Sequence, residues 1–331
     1  MTSAPGRINP SAQNGFSNAA LYDKHRPSFP AHSVSVLLDG VRVADSPQAT
    51  VVDLAAGTGK FTELLADRDE GYEIITIEPH ADMRKVLEDK HLKGVSVQDG
   101  LSTDMKSLKD ESVDAVIAAQ AFHWFANLES LEEINRVLQP HGAFGVIWNI
   151  ESSYSASYQP HPIFTYHLIE TLNYALDNAP KSHAATTAWE QKLQDLILSF
   201  DDNQPRFRHE QWRKVFDSQL SSNPLSITSS AEPLFSLPLA ENVEEWSVWL
   251  SEEALWDRLN TLSQIAVLDG EEKEEVRNVV KEALKGDDVQ RNENGEFELH
   301  GMTVSVWTTK IPQKGAESLF TTVKDALAGR T

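Results

Sequence analysis

The chain has 331 residues, of which 40% are hydrophobic, and it carries a formal net charge of −21 at pH 7. This size and apolar content suffice for a large core, more naturally as one elaborated domain than as two equal ones. The negative charge disfavours nucleic acid and anionic membrane surfaces as partners. Because the sequence contains no cysteine, disulfides, thiolate zinc sites and a cysteine nucleophile are excluded.

No targeting segment is visible in the sequence. The first twenty residues lack the apolar stretch of a signal peptide. No segment approaches the roughly 18 consecutive apolar residues that a membrane-spanning helix needs. We therefore expect a cytoplasmic protein without nucleic acid or membrane partners, and we expect it to be a monomer or homodimer.

The chain before residue 45 divides into three parts. Residues 1–15 are rich in Pro, Ser, Asn and Gly, which is typical of a flexible leader. Residues 16–30 combine aromatic and charged side chains with two prolines, and they predict an ordered lid rather than a long helix. Residues 31–44 have apolar side chains at helical spacing.

Residues 49–148 alternate between two kinds of pattern. Strands are predicted at 49–54, 73–77, 95–98, 112–118 and 142–148, and helices at 61–68, 81–89 and 128–138. Between the last helix and the last strand, "LQPHGAFGVIW" predicts a Pro-Gly turn. Strands that are apolar throughout and separated by helices indicate a parallel sheet covered on both faces.

The pattern changes after Asn149. Residues 151–230 predict a helical cap over the carboxyl edge of the sheet, with helices near 163–176 and 189–198. An extended segment is predicted at 232–239, a helix at 242–268, a charged helix at 271–285 and a weak helix beyond residue 312. Trp246, Trp249 and Trp256 would then share one face of the helix at 242–268. Residues 297–308 predict a hairpin around His300 and Gly301, with antiparallel strands at the sheet edge.

A glycine-containing turn follows the first predicted strand, in "VVDLAAGTGKFTELL". Small residues between a strand and a helix let the backbone approach a bound nucleotide. A Walker turn is excluded because Phe61 follows Gly-Lys, and a dinucleotide turn is weakened because Thr62 replaces its third glycine. The pattern of an adenosylmethionine turn is acid-x-G-x-G-x-G. Asp53, Ala55, Gly57 and Gly59 fit this pattern, with alanine in place of its first glycine. A turn that serves packing alone is the alternative.

Two further acidic residues end the next predicted strands. Glu78 follows the second strand, where a carboxylate can accept both ribose hydroxyls of an adenosine. Asp99 follows the third strand, where it can accept from the adenine amino group while Leu101 packs against the ring. Because ligands of open α/β sheets bind at the carboxyl ends of the strands, these acids together with Asp53 predict an adenosine site.

Five stretches resemble one known family: "VVDLAAGTGKFT", "ITIEPHADM", "VQDG", "SVDAVIAAQAFHWF" and "INRVLQPHGAFGVIWN". They are similar to class I S-adenosylmethionine-dependent methyltransferases of the type 11 family. Within it, "ALYDKHRPSFP" and "AAQAFHWF" resemble the branch of fungal trans-aconitate methyltransferase-like proteins. The resemblance implies S-adenosyl-L-methionine as cofactor. It also implies a doubly wound, mostly parallel, Rossmann-like sheet of seven strands, one of them antiparallel.

The sequence pattern predicts a division of the chain, and the resemblance, which is close only over residues 16–150, implies a set of cofactor contacts. A methyltransferase domain would span 16–310, with a cofactor-binding core at 16–150, a substrate region at 151–230, helices and closing antiparallel strands at 231–310, and a tail at 311–331. Gly57 and Gly59 would contact the methionine part, Glu78 the ribose, and Asp99 with Gly100 the adenine. The expected cofactor-binding residues are Tyr22, Arg26, Asp53, Ala55, Gly57, Gly59, Glu78, Pro79, Met83, Asp99, Gly100, Leu101, Gln120 and Ala121.

The stretch "QAFHWF" follows the fourth strand, where the acceptor should meet the methyl group. The candidate catalytic residues are His123, as a base or a hydrogen-bond partner of an acceptor oxygen, and Trp124, as a wall or a partner of the sulfonium. The alternative is that the aromatic residues belong to the core and His123 is a half-buried core histidine. A carboxylate acceptor needs no base, and Arg26 or Arg258 could clamp it. The histidines lack metal-ligand spacing, so no metal is expected.

The sequence therefore predicts an S-adenosylmethionine-dependent methyltransferase that acts on a carboxylate or hydroxyl oxygen of a small molecule. The alternative is a protein of this fold that binds the cofactor without methyl transfer, as a scaffold or in a non-methylating rearrangement. A nicotinamide oxidoreductase is disfavoured by Thr62.

Overall fold

The structure of the protein is a computed structural model that describes residues 19–151, 185–200, 204–220 and 233–312. The expected leader at 1–15, the helix near 163–176 and the helix beyond residue 312 lie outside these residues. Within the segment expected to form a lid, Ala19–His25 is a short helix, α1. It ends ahead of Pro27, because the residue before a proline disfavours the helical conformation.

Seven strands form one sheet. They are β1 Thr50–Leu54, β2 Glu73–Ile77, β3 Val95–Gln98, β4 Val113–Ala119, β5 Leu138–Glu151, β6 Ala240–Leu250 and β7 Phe297–Thr309. Their order is β3-β2-β1-β4-β5-β7-β6. The pairs from β3 to β5 are parallel, and β7 is antiparallel to both of its neighbours. The strand order reverses between β1 and β4, which opens a crevice at the carboxyl ends of these strands.

Helices flank the sheet, as the alternating pattern predicts. After α1 they are α2 Ala31–Gly40, α3 Lys60–Ala66, α4 Ala81–Asp89, α5 Leu128–Val137, α6 Ala188–Ser199, α7 Lys214–Asp217, α8 Glu252–Leu259, α9 Ser263–Ala266 and α10 Gly270–Ala283. The predicted helices at 81–89, 128–138, 189–198 and 271–285 are confirmed within two residues. Within the described ranges, no helix has the length and apolar character needed to cross a membrane.

The central strands bury side chains on both faces of the sheet. Val51 packs with Leu37 of α2 on one face, whereas its neighbour Val52 packs with Leu131 of α5 on the other face. Alternate residues of a strand point to opposite faces, so strands covered on both sides are apolar throughout. A third cluster packs α6, α8 and α10 against Phe297 and Leu299 at the start of β7.

The helix predicted over 242–268 is wrong in its first half. Ala240–Leu250 is a strand that pairs with β7 along its whole length, and helix α8 begins only at Glu252. From residue 245 to 250, exposed and half-buried side chains alternate, which is the period of a strand. Trp246 and Trp249 therefore lie on opposite faces of β6 instead of on one face of a helix. Pairing with a distant strand outweighs the local preference here.

The hairpin predicted around His300 and Gly301 is also wrong. Phe297–Thr309 is one continuous strand between β5 and β6. Gly301 lies opposite Trp246, and a Cβ atom at this glycine would be 2.3 Å from the Trp246 ring. The glycine thus marks a close contact between strands and not a turn. The antiparallel strand itself is confirmed, although β6 forms the edge of the sheet.

Strand β5 begins earlier than predicted. Residues 139–142, which resemble a Pro-Gly turn in sequence, lie between the pairs Val113–Leu138 and Ala115–Ala143. An advance of two residues along β4 therefore corresponds to an advance of five residues along β5. The additional residues of β5 form an irregularity within that strand. Pro140 has no backbone N–H group, so it cannot donate to a neighbouring strand there.

Candidate active site

The turn between β1 and α3 has a left-handed backbone at three positions. Ala55, Gly57 and Gly59 have φ angles of 58°, 58° and 86°. Glycine adopts this region freely, whereas it costs an alanine about 1–2 kcal/mol. Hydrogen bonds from the N–H groups of Ala55 and Ala56 to the Ile77 carbonyl, at 2.7 and 3.3 Å, hold the turn against β2. Ala55 therefore keeps a backbone suited to glycine and adds a methyl group beside the adjoining cavity.

Glu78 holds the same turn from the end of β2. Its Oε2 accepts from the Gly57 N–H group at 2.8 Å, and its Oε1 accepts from the His80 N–H group at 2.8 Å. The residue is only 6% exposed. Burial raises the pKa of the Glu78 carboxyl, and the two backbone donors oppose this shift. The carboxylate is thus fixed in place, and its remaining lone pairs can accept from ligand hydroxyl groups.

Asp53 lies beneath the turn and lines neither of the two cavities described below. Its buried Oδ2 accepts from the Thr62 hydroxyl at 2.6 Å, and its buried Oδ1 has no hydrogen-bond partner. Burial raises the pKa of Asp53 to about 7; the Thr62 hydrogen bond opposes this shift, and the charge of Glu78 adds to it. Thr62, which stands where a dinucleotide turn has its third glycine, therefore serves as a donor to Asp53.

A cavity of about 180 Å³ opens at the carboxyl ends of β1, β2, β3 and β4. It is closed on one side by the segment that follows α1. Twelve of the residues predicted for the site line it: Tyr22, Arg26, Ala55, Gly57, Glu78, Pro79, Met83, Gly100, Leu101, Gln120, Ala121 and Trp124. The turns after four different strands thus meet in one place.

Two other residues predicted to bind the cofactor, Gly59 and Asp99, lie outside this cavity. Gly59 faces α4, where a Cβ atom would be 2.2 Å from the Leu87 Cδ1 atom, so this glycine serves helix packing. The Asp99 side chain is 73% exposed, and its carboxylate pairs with Arg84 at 2.7 Å. A partner on α4 thus holds Asp99 at the surface, whereas its neighbours Gly100 and Leu101 reach the cavity.

The lining of the cavity fits S-adenosylmethionine chemically. Glu78 offers a fixed carboxylate of the kind that accepts ribose hydroxyls. Ile77, Met83 and Leu101 offer apolar surface of the kind that covers a flat base. The left-handed turn at Gly57 leaves room for the ligand to approach the backbone.

A second cavity, of about 70 Å³, adjoins the first. The two share the side chains of Tyr22, Arg26, Gln120 and Trp124. Its other lining residues are His123, Asn149, Ile150, Glu151, Arg206, Phe207, Arg208 and Ser263. Among the described residues that line this space are three arginines and one glutamate, and the glutamate forms a buried ion pair with Arg258. The described lining therefore carries more basic than acidic side chains, although the chain as a whole is strongly acidic.

Arg206 is held in the wall of the second cavity. It is 8% exposed, and its guanidinium lies over the Trp124 ring, 5.3 Å from the ring centroid. Its Nη1 donates to the Ser263 hydroxyl at 2.6 Å. The ring contact and the hydrogen bond to Ser263 hold the Arg206 guanidinium in a defined orientation, and the planar fork of N–H donors in a guanidinium matches a planar anion.

The stretch "QAFHWF" divides between core and cavity. Phe122 is fully buried and packs with Phe144 at a centroid distance of 5.1 Å, as the core alternative expected. Trp124 and Phe125 instead line the large cavity. Gln120, with a φ angle of 59°, donates from its Nε2 to the Asn149 carbonyl at 2.9 Å and stands between the cavities.

His123 lines the second cavity and is bonded to the core. Its Nδ1 accepts from the indole N–H group of Trp148 at 3.2 Å. Burial, together with the positive charges of Arg206, His209 and Arg26, lowers the pKa of His123 to about 3. Of the two roles predicted for this residue, a base at neutral pH is therefore disfavoured and a hydrogen-bond partner is favoured.

Arg258, predicted as a possible clamp for a carboxylate, does not line either cavity. It is buried against Glu151, with which it forms an ion pair. Sequence reasoning missed Arg206 and Arg208, which do line the second cavity. The only local signal is the alternation of basic and aromatic residues in "RFRH". In the part of the chain that the structure describes, no group of three or more histidine and acidic side chains is arranged to hold a metal ion.

The strand order, the antiparallel β7 and the cavity at the β1–β4 crevice define the class I S-adenosylmethionine-dependent methyltransferase fold. Comparison with known proteins agrees. Residues 52–146 match the type 11 family model, described as a methyltransferase domain.

Three curated relatives are similar to the chain. An uncharacterized methyltransferase-like protein of Schizosaccharomyces pombe is 27% identical over 90% of this chain and 95% of its own length. An uncharacterized methyltransferase of the same yeast is 38% identical over 40% of this chain and 51% of its own length. A probable S-adenosylmethionine-dependent methyltransferase of Saccharomyces cerevisiae is 30% identical over 41% of this chain and 47% of its own length. The matched regions thus span about half the length of the last two relatives.

Residues 52–146 form a type 11 methyltransferase domain, and the chain is an S-adenosylmethionine-dependent methyltransferase. Its cofactor is S-adenosylmethionine. The narrower resemblance to trans-aconitate methyltransferase-like proteins stays a prediction.

Proposed function

We propose that the chain methylates an oxygen atom of a small molecule, and that this oxygen belongs to a carboxylate and not to a hydroxyl group. The observation that carries the proposal is the pair of adjoining cavities. One is lined by the fixed carboxylate of Glu78 and the other by Arg206 and Arg208, while Arg26 lines both. Tyr22, Arg26, Gln120 and Trp124 line both cavities and form their shared wall. A cofactor in the first cavity and an anionic acceptor in the second would meet at this wall.

In this proposal the large cavity holds the cofactor. Glu78 accepts from the ribose hydroxyls, because its carboxylate is fixed by two backbone donors. Leu101 and Met83 cover the adenine, and Arg26 pairs with the carboxylate of the methionine part. The support for this orientation is that the apolar residues, the acid and the arginine come from different elements of the fold and line one cavity.

The second cavity then holds the acceptor. Arg206 and Arg208 bind its carboxylate, since a guanidinium matches a carboxylate in shape and charge. Glu151, the acidic residue in the lining, is paired with Arg258 and so repels an anion less than an unpaired carboxylate would. The small volume of about 70 Å³ favours a compact acceptor.

The reaction needs alignment more than proton transfer. When bound, S-adenosylmethionine supplies a methyl group that is attached to a sulfonium. A carboxylate oxygen of the acceptor forms the new C–O bond as the C–S bond breaks, and the electron pair of the C–S bond passes to sulfur. The products are a methyl ester and adenosylhomocysteine, and no proton moves. Trp124 and Gln120 orient the reactants at the shared wall, which is worth more than acid–base chemistry in such a displacement. The ring of Trp124 also favours a cationic sulfonium beside it.

The test is a transfer assay with methyl-labelled S-adenosylmethionine and a panel of small carboxylates, each paired with the alcohol of the same carbon skeleton. We expect adenosylhomocysteine and an alkali-labile labelled methyl ester from at least one carboxylate, and no label in its alcohol. Labelled alcohols without labelled carboxylates would contradict the choice of acceptor. Cofactor binding without turnover of any compound would instead favour a protein that binds the cofactor and does not transfer methyl.

A further inference from the structure

The indole of Trp148 determines which nitrogen of His123 carries its proton. An indole N–H group can only donate a hydrogen bond. Because Trp148 Nε1 lies 3.2 Å from His123 Nδ1 in hydrogen-bond geometry, the Nδ1 atom must accept. In the neutral imidazole the other nitrogen then carries the hydrogen, so Nε2 is a donor.

Trp148 cannot easily turn away from this partner. It is fully buried on β5, opposite Val304 of β7. Its ring packs against Phe207 and Trp212, each at a centroid distance of 4.8 Å. If His123 carried its proton on Nδ1, the indole N–H group would be buried without an acceptor, which costs about 1–3 kcal/mol.

The charged groups around His123 disfavour its protonation. Arg26 reaches it from the segment after α1, and Arg206, Arg208 and His209 from the segment before α7. Among the described residues that line the second cavity, the acidic side chain is Glu151 at the end of β5, and it is neutralised by Arg258 of α8. Burial and the neighbouring cations lower the pKa of His123 to about 3. His123 is therefore neutral at physiological pH.

We infer that Trp148 is a positioning residue that holds His123 as the Nε2–H tautomer, so that His123 donates a hydrogen bond to the acceptor and does not act as a general base. The hydrogen bond from His123 to the acceptor rests on the proposed function, whereas the assignment of the Nε2–H tautomer does not depend on it. It explains why a histidine beside the shared wall suits an acceptor that arrives as an anion. A hydroxyl acceptor would need a proton acceptor, and the Nδ1 lone pair is occupied.

The direct test is long-range ¹H–¹⁵N NMR of protein labelled at histidine nitrogens. In the wild type, the His123 signals should show an unprotonated Nδ1 and a protonated Nε2 from about pH 5.5 to 8.5, a range in which an ordinary histidine titrates. Trp148→Phe keeps an aromatic ring but removes the N–H donor, and it should give mixed tautomers. Trp246→Phe is the matched control: its indole donates to Thr303 at 3.1 Å, outside both cavities. This variant should leave the His123 spectrum unchanged.

The donor role is tested kinetically on the carboxylate that the transfer assay identifies. His123→Gln places an amide N–H near the position of Nε2 but cannot act as a base. We expect it to keep the rate within about tenfold of the wild type, while His123→Ala loses about 100-fold, or about 2.7 kcal/mol. Trp148→Phe should raise the acceptor KM about fivefold and leave the cofactor Kd unchanged, a shift that corresponds to about 1 kcal/mol.

Three results would overturn the inference. One is a proton on Nδ1, and another is titration of His123 near neutral pH. The third is a combination of two kinetic results: His123→Gln is as slow as His123→Ala, and the rate of the wild type falls at acid pH. If no carboxylate is methylated at all, the proposed function and the donor role both fail, and the nitrogen signals alone decide the tautomer.

Discussion

The two cavities share a wall but are built differently. The larger one is lined mainly by turns that follow strands β1 to β4, and its central group, Glu78, is fixed by backbone N–H groups. The smaller one is lined by residues that are far apart in the sequence, from Tyr22 to Ser263, and its Arg206 is fixed by the side chains of Trp124 and Ser263. We therefore expect changes in the first to alter cofactor affinity and the stability of the turn, and changes in the second to alter the acceptor KM.

The largest expected effect concerns Asp53, under the turn of the larger cavity. Its pKa in the folded state is about 7, against 3.8 for an ordinary aspartate carboxyl group. Between these values the folded state binds more protons than the unfolded state, so raising the pH from about 4 to about 7 lowers the free energy of unfolding, on the order of a few kcal/mol. Asp53→Asn cannot titrate and should flatten this dependence in urea titrations measured across that range.

The control for Asp53→Asn is Asp99→Asn, because Asp99 is largely exposed. This control should keep the slope of the wild type. An unchanged slope in Asp53→Asn would mean that the buried carboxyl does not carry the pH dependence.

Glu78→Ala should weaken cofactor binding about 100-fold, because it removes a carboxylate held by two backbone donors, and hydrogen bonds to charged groups contribute about 1.5–3 kcal/mol. Calorimetry with S-adenosylmethionine measures this change. Asp99→Ala, at the end of the neighbouring strand, should change the Kd less than about twofold, since Asp99 faces Arg84 and solvent. Equal losses in the two variants would show that the adenosine is recognised differently.

Arg206→Met should raise the KM of a carboxylate acceptor about tenfold, or about 1.4 kcal/mol, with little change in cofactor Kd. Steady-state kinetics and calorimetry together separate the two quantities. Arg213→Met is the comparison variant, because Arg213 is also largely buried and lies over a tryptophan but lines neither cavity. A larger loss of cofactor affinity than of acceptor affinity in Arg206→Met would contradict the division between the cavities.

Ala55→Gly should have the smallest effect, a gain of about 1 kcal/mol in the free energy of unfolding, because Ala55 has a φ angle of 58° that favours glycine. Chemical denaturation measures the gain. Ala56→Gly, at the next position of the turn, should instead be neutral or destabilising, since Ala56 is not among the residues with positive φ. A loss of stability in Ala55→Gly would show that the alanine methyl group packs favourably.

The difference between the two cavities also explains how much of the site the sequence could predict. The strands at 73–77 and 95–98 and the helix at 81–89 follow from local periodicity, and Glu78, Gly100 and Leu101 reach the cavity because they come directly after strands. A strand end fixes where a residue lies but not what it pairs with. Asp99 also comes directly after a strand, but its carboxylate forms an ion pair with Arg84 at the surface.

The errors concern contacts between distant parts of the chain. Gly301 resembles a turn residue until Trp246 is placed opposite it on the neighbouring strand. Likewise, Arg206 resembles an ordinary surface arginine until Trp124 and Ser263 are placed beside it. Pairing of β6 with β7 and packing of side chains across long sequence separations decide these positions, and no local pattern reports them.

The most direct test of the central claim is a crystal structure with adenosylhomocysteine. The account predicts ribose hydroxyls on the Glu78 carboxylate, and a sulfur atom at the wall formed by Gln120 and Trp124, facing the cavity lined by Arg206. A ligand whose ribose does not contact Glu78, or whose sulfur faces away from that cavity, would contradict it.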